Sequence, residues 1–150
     1  MKIFIASDHA GFELKEKLRE WLVKKGYEVK DFGAFSYNET DDYPDFVRDA
    51  AKAVANNPEQ SRGIVLGGSG QGEAMAANRF KGVRAAVLYK FSAEIVRLAR
   101  QHNNANILSL GARFISEDEA KTAVEIFLET EFNGIGENER HLRRIKKIDL

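Results

Sequence analysis

Cysteine is absent from this chain of 150 residues, and proline and methionine occur only twice each. Without cysteine, the protein has no disulfide framework, no cysteine-ligated zinc site and no thiol nucleophile. A domain of this length buries about 68–70% of the surface of its unfolded chain, so it needs no cross-links to hold a core. The apolar share of 43% agrees with that. We predict one compact domain over residues 1–150.

Excess charge and long apolar runs are also missing. The 23 basic residues balance 23 acidic ones, which argues against nucleic-acid binding by bulk charge. No apolar run approaches the roughly 18 residues of a membrane span, and the opening MKIFIA is too short for a signal peptide. The three histidines, His9, His102 and His141, lack the spacing of metal ligands. We expect a cytoplasmic protein that binds no metal, nucleic acid or membrane.

Short apolar segments alternate with helical patterns along the chain. Such alternation predicts an α/β fold: a doubly wound, Rossmann-like, five-stranded parallel sheet with helices on both faces. Ser116 and Glu119 have the spacing of a capping box at the start of a helix. The predicted strands lie in 2–6, 27–32, 63–66, 83–88 and 107–110. Helices are predicted after about residue 12, from Pro44 to just before Asn56, over 73–80 and 92–101, after Ser116 with Ala120, Val124 and Phe127 inward, and over 137–148.

Parallel sheets of this kind bind ligands at the carboxyl ends of their strands. Asp8 and His9 follow the first predicted strand, the glycine-rich loop 67–72 follows the third, and Arg113 follows the fifth. We therefore expect all of them along one edge of the sheet. The long segment 33–44, which carries Tyr43, is typical of a functional loop.

The glycine-rich loop Gly67-Gly68-Ser69-Gly70-Gln71-Gly72 is the strongest chemical signal. Its glycines let the backbone amides approach an anion or oxyanion closely. It has neither the Gly-Lys-Ser/Thr of a P-loop nor the G-x-G-x-x-G spacing of a dinucleotide site. Glu73 follows the loop directly, where a second negative charge would repel a phosphate. On position alone, Glu73 is either a general base beside an oxyanion hole or an ordinary acid at a helix N-terminus.

Cationic residues near helix ends leave two interpretations open. His102, beside Asn103, is either a charge partner of a helix dipole or a functional group. Residues 140–147 contain five Lys or Arg residues and no acid, which is typical of a solvated helix face. Arg140 and Arg144 are four residues apart, however, so they share a helix face and could grip one phosphate together. In that helix Leu142, Ile145 and Ile148 are predicted to face inward.

Five segments carry a family resemblance over essentially the whole chain. They are IASDHAGFELK (5–15), DDYPDF (41–46), GIVLGGSGQGEAMAANRFKGVRAA (63–86), ARQHNNANILSLGAR (99–113) and RHLRRIKKI (140–148). With them, the chain resembles the type B ribose-5-phosphate isomerases, relatives of the galactose-6-phosphate isomerase subunits. Many members place a catalytic cysteine where this chain has Gly67. A second group uses a glutamate after the loop, which Glu73 matches.

The resemblance implies reversible isomerisation of ribose 5-phosphate and ribulose 5-phosphate, as in the pentose phosphate pathway, without metal or organic cofactor. Glu73 would move the proton between carbons 2 and 1, His102 would open the sugar ring, and Ser69 would help the loop amides to stabilise the enediolate. The implied substrate-binding residues are Asp8, His9, Tyr43, Gly68, Ser69, Gly70, Gln71, Gly72, Asn103, Arg113, Arg140 and Arg144. His141 has no implied role.

The resemblance also implies a homodimer, or a dimer of such dimers, in which the C-terminal helix at about 137–148 reaches the partner's site. Two other functions stay open on the sequence. One is isomerisation of a six-carbon phosphosugar, such as allose 6-phosphate or galactose 6-phosphate. The other is a regulator that binds sugar phosphates without catalysis.

Overall fold

The computed structural model describes residues 1–148, so residues 149 and 150 of the predicted domain lie outside the described residues. Its five strands form one fully parallel sheet in the order β2-β1-β3-β5-β4, which confirms the predicted fold class. The strands are β1 (Lys2–Ser7), β2 (Glu28–Asp31), β3 (Ser61–Gly67), β4 (Ala85–Leu88) and β5 (Ile107–Gly111). The helices are α1 (Phe12–Lys24), α2 (Tyr43–Asn56), α3 (Gln71–Ala77), α4 (Ala93–Asn103), α5 (Glu117–Glu129) and α6 (Glu139–Lys146), with short 3-10 helices at His9–Gly11 and Gly136–Asn138.

Alternate residues of the strands point to two separate apolar cores, one on each face of the sheet. Ile3 and Ile5 of β1 pack with α1, α4 and α5, whereas Phe4 and Ala6 pack with α2 and α3. The predicted helices on both faces are thereby confirmed. The chain adds β2 on one side of β1 and then crosses to the other side for β3. The order in which strands are added therefore reverses between β1 and β3. Ligands of doubly wound sheets bind at such a switch point.

Local signals explain several helix ends. The predicted capping box at the start of α5 is present, because Ser116 Oγ accepts from the Glu119 amide at 3.2 Å and Glu119 Oε2 accepts from the Ser116 amide at 2.8 Å. At the C-terminal end of α4, Asn104 takes a left-handed conformation with φ +45° and ends the helix. These caps satisfy backbone groups that a helix end leaves without partners.

The terminal helix differs from its prediction. It covers Glu139–Lys146 rather than 137–148, and its buried residues are His141 and Ile145, four positions apart. The predicted inward face was wrong at Ile148, which is 59% exposed and lies beyond the helix end, so the helical spacing no longer sets its direction. Over residues 1–148, no helix combines the length and the apolar content needed to cross a bilayer.

Candidate active site

The first group of predicted site residues meets at the carboxyl edge of the sheet. Asp8, directly after β1, is 7% exposed, and its Oδ1 accepts from the amides of Ala10 at 2.9 Å and Gly11 at 3.3 Å. This carboxylate therefore caps the 3-10 helix that follows β1, as an N-terminal Asp commonly does. The cap fixes the direction in which the chain leaves the strand, and with it the position of His9.

Hydrogen bonds to β5 and to the residues that follow it tether the glycine-rich loop. Ser109 Oγ donates to the carbonyl of Gly70 at 2.6 Å, and the amides of Ala112 and Arg113 donate to the carbonyls of Gly67 and Gly68 at 2.8 and 3.2 Å. Gly70 has φ +76°, and a Cβ there would lie 3.0 Å from the carbonyl carbon of Leu110. Glycine is needed at position 70 for both reasons. The loop is thus held rigidly between β3 and α3.

Glu73 lies two residues further into its helix than the sequence predicted. The helix begins at Gln71, so Glu73 is its third residue rather than the first residue of a helix that starts after the loop. The residue is 4% exposed, and its carboxylate lies against Gly67: a Cβ at position 67 would be 1.7 Å from Glu73 Oε1. Because Gly67 has no side chain, the Glu73 carboxylate can occupy the space that a Cβ there would fill.

The environment of Glu73 suits a proton acceptor at neutral pH. Burial raises the pKa of its carboxyl, and the negative charge of Asp8 raises it further, while a bond from its own backbone amide opposes both. The effect of burial on this pKa is therefore larger than that of the backbone hydrogen bond. A base with a raised pKa is stronger, and its conjugate acid can still return the proton.

Tyr43, Arg113 and Ser69 complete this edge. The Tyr43 ring lies against Gly72, where a Cβ would be 2.6 Å from the hydroxyl oxygen of the tyrosine. The guanidinium of Arg113 lies over Gly68, with Nη1 3.3 Å from the position of a Cβ there. Ser69 Oγ accepts from the amide of Gln71 at 3.4 Å. We call Asp8, His9, Tyr43, Ser69, Glu73 and Arg113 the carboxyl-edge cluster.

The remaining predicted residues lie at the other edge. Helix α4 leaves the carboxyl end of β4 and runs back for 11 residues, about 16 Å, so its last residues His102 and Asn103 reach the amino edge. Two bonds confirm this position, because Arg84, just before β4, donates to the Asn104 carbonyl at 3.0 Å and to Asn106 Oδ1 at 2.8 Å.

Helix α6 packs against α4 at the amino edge. The rings of His102 and His141 stack with centroids 4.2 Å apart and planes 7° apart. Burial lowers the pKa of His141, and the charges of His102, Arg140 and Arg144 lower it further, which favours the neutral form of this ring. Arg140 and Arg144 are exposed beside it. We call His102, Asn103, Arg140, His141 and Arg144 the amino-edge cluster.

One subunit therefore does not assemble the whole predicted site. The carboxyl-edge cluster brings together the predicted base, the loop and part of the predicted phosphate site. The amino-edge cluster holds the predicted acid His102 with the two terminal arginines. Within one chain His102 and Glu73 lie at opposite edges, because helix α4, which carries His102, spans the depth of the sheet between them.

The sequence analysis missed Asp41. Its Oδ1 accepts from the backbone amide of His9 at 3.0 Å and from His9 Nδ1 at 2.7 Å. Asp8, His9 and Asp41 offer three potential metal-ligating atoms within 4.8 Å of one another. Spacing along the chain does not reveal this group, because Asp41 is 32 residues from His9. The expected absence of a metal site stays a prediction.

Comparison with known proteins finds relatives over nearly the full length of this chain. The family profile described as Ribose/Galactose Isomerase matches residues 3–148. Ribose-5-phosphate isomerase B of Mycobacterium leprae is 45% identical over 145 residues, which are 97% of this chain and 86% of the relative. The protein of that name from Escherichia coli K12 is 39% identical over 98% of this chain and 93% of its own length.

Solved structures agree in fold over the full length. Ribose-5-phosphate isomerase B of Mycoplasma genitalium with bound ribulose-5-phosphate superposes with a TM-score of 0.91 at 44% identity, covering 98% of this chain and 93% of the other. The Thermotoga maritima structure gives 0.89 at 48% identity, covering 99% and 97%. On its profile match over residues 3–148 and these full-length relatives, this chain belongs to the ribose/galactose isomerase family.

Proposed function

We propose that the chain interconverts ribose 5-phosphate and ribulose 5-phosphate through an enediolate, with Glu73 as the base. One observation carries the proposal: a buried carboxylate with a raised pKa occupies the space beside Gly67, next to a rigid loop rich in backbone amides. The family membership and the ribulose-5-phosphate bound by the Mycoplasma genitalium relative support the substrate.

The reaction needs three stages: ring opening, proton removal from carbon 2 and proton return to carbon 1. His102 donates a proton to the ring oxygen, the ring C–O bond breaks, and the hydroxyl on carbon 1 passes its proton to water to give the open-chain aldehyde. Glu73 then removes the proton from carbon 2, and the electron pair moves to the carbonyl oxygen as an enediolate forms. Protonated Glu73 returns the proton to carbon 1, while the proton on the carbon 2 hydroxyl transfers to the oxygen on carbon 1.

The loop stabilises the charge that develops between these steps. Ser69 and the amides of Gly68, Gly70, Gln71 and Gly72 are proposed to surround the enediolate oxygens. A single donor of this kind is worth roughly 3–4 kcal/mol in comparable sites. Because hydrogen bonds to β5 and to the residues after it tether the loop, its dipoles need little reorganisation during the reaction.

Binding energy from the phosphate places the reacting carbons. His9 and Arg113 are proposed phosphate ligands at the carboxyl edge, and Arg140 and Arg144 at the amino edge of a neighbouring chain. Asn103 would bind a sugar hydroxyl, and Asp8 and Tyr43 would orient others. Interactions remote from the reacting atoms lower the barrier by holding carbon 2 against the base.

A homodimer completes the site. Since the two clusters lie on opposite edges of one subunit, the amino-edge cluster of one chain has to meet the carboxyl-edge cluster of another. A two-fold axis satisfies both chains at once, because an isologous contact creates two equivalent sites. A further pairing of such dimers is compatible with this arrangement.

The proposed chemistry uses only side chains and backbone amides, so the reaction is proposed to run without metal or organic cofactor. We place the enzyme in the cytoplasm. A doubly charged sugar phosphate crosses an apolar membrane only at high cost, so the proposed substrate stays in the cytoplasm.

Proton NMR in deuterated water tests the function. The purified chain is incubated with ribose 5-phosphate and, separately, with allose 6-phosphate. We expect ribulose 5-phosphate to form with deuterium at carbon 1. Faster conversion of allose 6-phosphate would identify a six-carbon phosphosugar isomerase, and conversion of neither sugar would identify a regulator. Glu73→Gln serves as the inactive control.

A further inference from the structure

Asp41 is a buried carboxylate in an otherwise exposed loop. Residues 35–40 of this loop are all exposed, yet the side chain of Asp41 is only 7% exposed. Its Oδ2 is buried and has no hydrogen-bond partner within residues 1–148. A buried carboxylate is costly unless it is paired. Among residues 1–148 the ion-pair partner of Asp41 is His9, so the energetics of this loop depend on that pair.

One oxygen of the Asp41 carboxylate makes both hydrogen bonds to His9. Oδ1 of Asp41 accepts from the backbone amide of His9 at 3.0 Å and from His9 Nδ1 at 2.7 Å. The two bonds fix both the chain and the ring of one residue. Tyr37 adds a wall, because its ring meets that of His9 edge-on with centroids 6.2 Å apart. The imidazole is therefore held in one orientation.

The bond to Nδ1 also decides which nitrogen serves the substrate. A carboxylate only accepts hydrogen bonds, so Nδ1 carries a proton. The other nitrogen, Nε2, is the one left for a ligand. To donate to a phosphate oxygen from Nε2, the ring must be doubly protonated and positively charged. Asp41 on one side and the phosphate on the other would then both accept from the ring.

We propose that Asp41 is a positioning residue that sets His9 as a phosphate ligand through its Nε2. The inference rests on the proposed function for the assignment of His9 to the phosphate. Asp41 does not touch the substrate in this proposal. It also precedes Tyr43 by two residues, so the same contact ties the loop after β1 to the start of α2. The contact thereby fixes the position of His9 relative to Tyr43 within the carboxyl-edge cluster.

Asp41→Asn is the informative variant. An amide retains the shape and an oxygen acceptor for the two His9 bonds, but it removes the negative charge. Glu39→Gln is the matched control, since it removes the same charge from an exposed residue of the same loop. The probe is inorganic phosphate, and its dissociation constant is measured by calorimetry without turnover. Asp41→Asn should weaken phosphate binding about tenfold, as expected for loss of a charge-assisted hydrogen bond, whereas Glu39→Gln should not.

A double-mutant cycle separates positioning from a merely structural role. In a His9→Ala background, Asp41→Asn should weaken phosphate binding no further. Two further readouts accompany the cycle. The KM for ribose 5-phosphate should rise with kcat nearly unchanged, and the nitrogen-15 signals of the His9 ring should shift in Asp41→Asn but not in Glu39→Gln.

The outcomes are decisive in both directions. Equal weakening with and without His9 would show a general structural role and overturn the proposal, and so would unchanged phosphate binding in Asp41→Asn alone. The phosphate cycle needs no catalysis. If the wild-type protein isomerised no sugar, the proposed function would fail while this cycle still reported on Asp41 and His9.

Discussion

The two edges of the sheet carry complementary halves of one chemistry. The carboxyl-edge cluster is built from strand ends and loops held by backbone hydrogen bonds, and it contains the buried proposed base Glu73. The amino-edge cluster comes from the ends of helices, exposes Arg140 and Arg144, and contains the candidate acid His102. Neither half has both an acid and a base positioned for the reaction. On the proposed mechanism, one chain therefore needs the amino-edge cluster of a second copy to complete its site.

Removing the base should have the largest effect on the carboxyl-edge half. Glu73→Gln keeps the shape of the side chain but cannot accept a proton at neutral pH. We expect kcat to fall by about 10²–10⁴-fold, the usual contribution of a general base, while phosphosugar binding survives. Isomerisation rates and calorimetry measure the two quantities. A kcat near that of the wild type would remove Glu73 from the mechanism.

Mixing two defective chains tests whether the halves come from different subunits. Glu73→Gln and Arg144→Ala should each be nearly inactive alone. In a mixed dimer, one site carries both defects and the other carries neither. Random exchange makes about half of the dimers mixed, so activity should return to about a quarter of that of the wild type.

The control for that experiment mixes Arg144→Ala with His102→Asn. Both changes lie in the amino-edge cluster, so every site of every dimer keeps one defect and no activity should return. If activity stays absent in the first mixture after exchange has been confirmed by mass spectrometry, Arg144 serves its own subunit and the shared site is wrong.

A methyl group at Gly67 should displace the base without touching the amino edge. The Cβ of Gly67→Ala would lie 1.7 Å from Glu73 Oε1, so the carboxylate has to move. A misplacement of about 1 Å can cost roughly 10²-fold, and we expect a loss in kcat of that order. Shortening the base in the double variant Gly67→Ala with Glu73→Asp should recover part of it. A Gly67→Ala enzyme with unchanged kcat would show that this close fit does not matter.

The smallest effect should be a shift in pH dependence. Glu73 must be ionised to accept a proton, so activity falls as the pH drops through its raised pKa. Asp8 contributes to that raised pKa by its negative charge. Asp8→Asn, which keeps a capping side chain, should therefore move the acidic limb of kcat/KM to lower pH. Asp45→Asn, an exposed change of equal charge, should leave the limb in place. A shift to higher pH in Asp8→Asn would contradict the electrostatic account.

Much of the carboxyl edge could be predicted because parallel sheets put all strand ends together. Asp8, Ser69 and Arg113 follow strands in the sequence, and they meet in the structure for that reason. The position of His102 follows from the same topology, since a helix between parallel strands returns to the amino edge. The family resemblance implied roles for His102 and Glu73, and the path of α4 separates the two residues within one chain.

Sequence by itself determined the fold class, the capping box at Ser116 and the order of chemical groups along the chain, because these depend on local periodicity and on the alternation of strands and helices. Only the tertiary structure decided that Glu73 fills the space left by Gly67 and that Asp41 binds His9. Both are contacts between segments whose separation depends on loop conformation and side-chain packing. Periodicity carries no information about either, so a distance of 2.7 Å across 32 residues of chain could come only from the folded molecule.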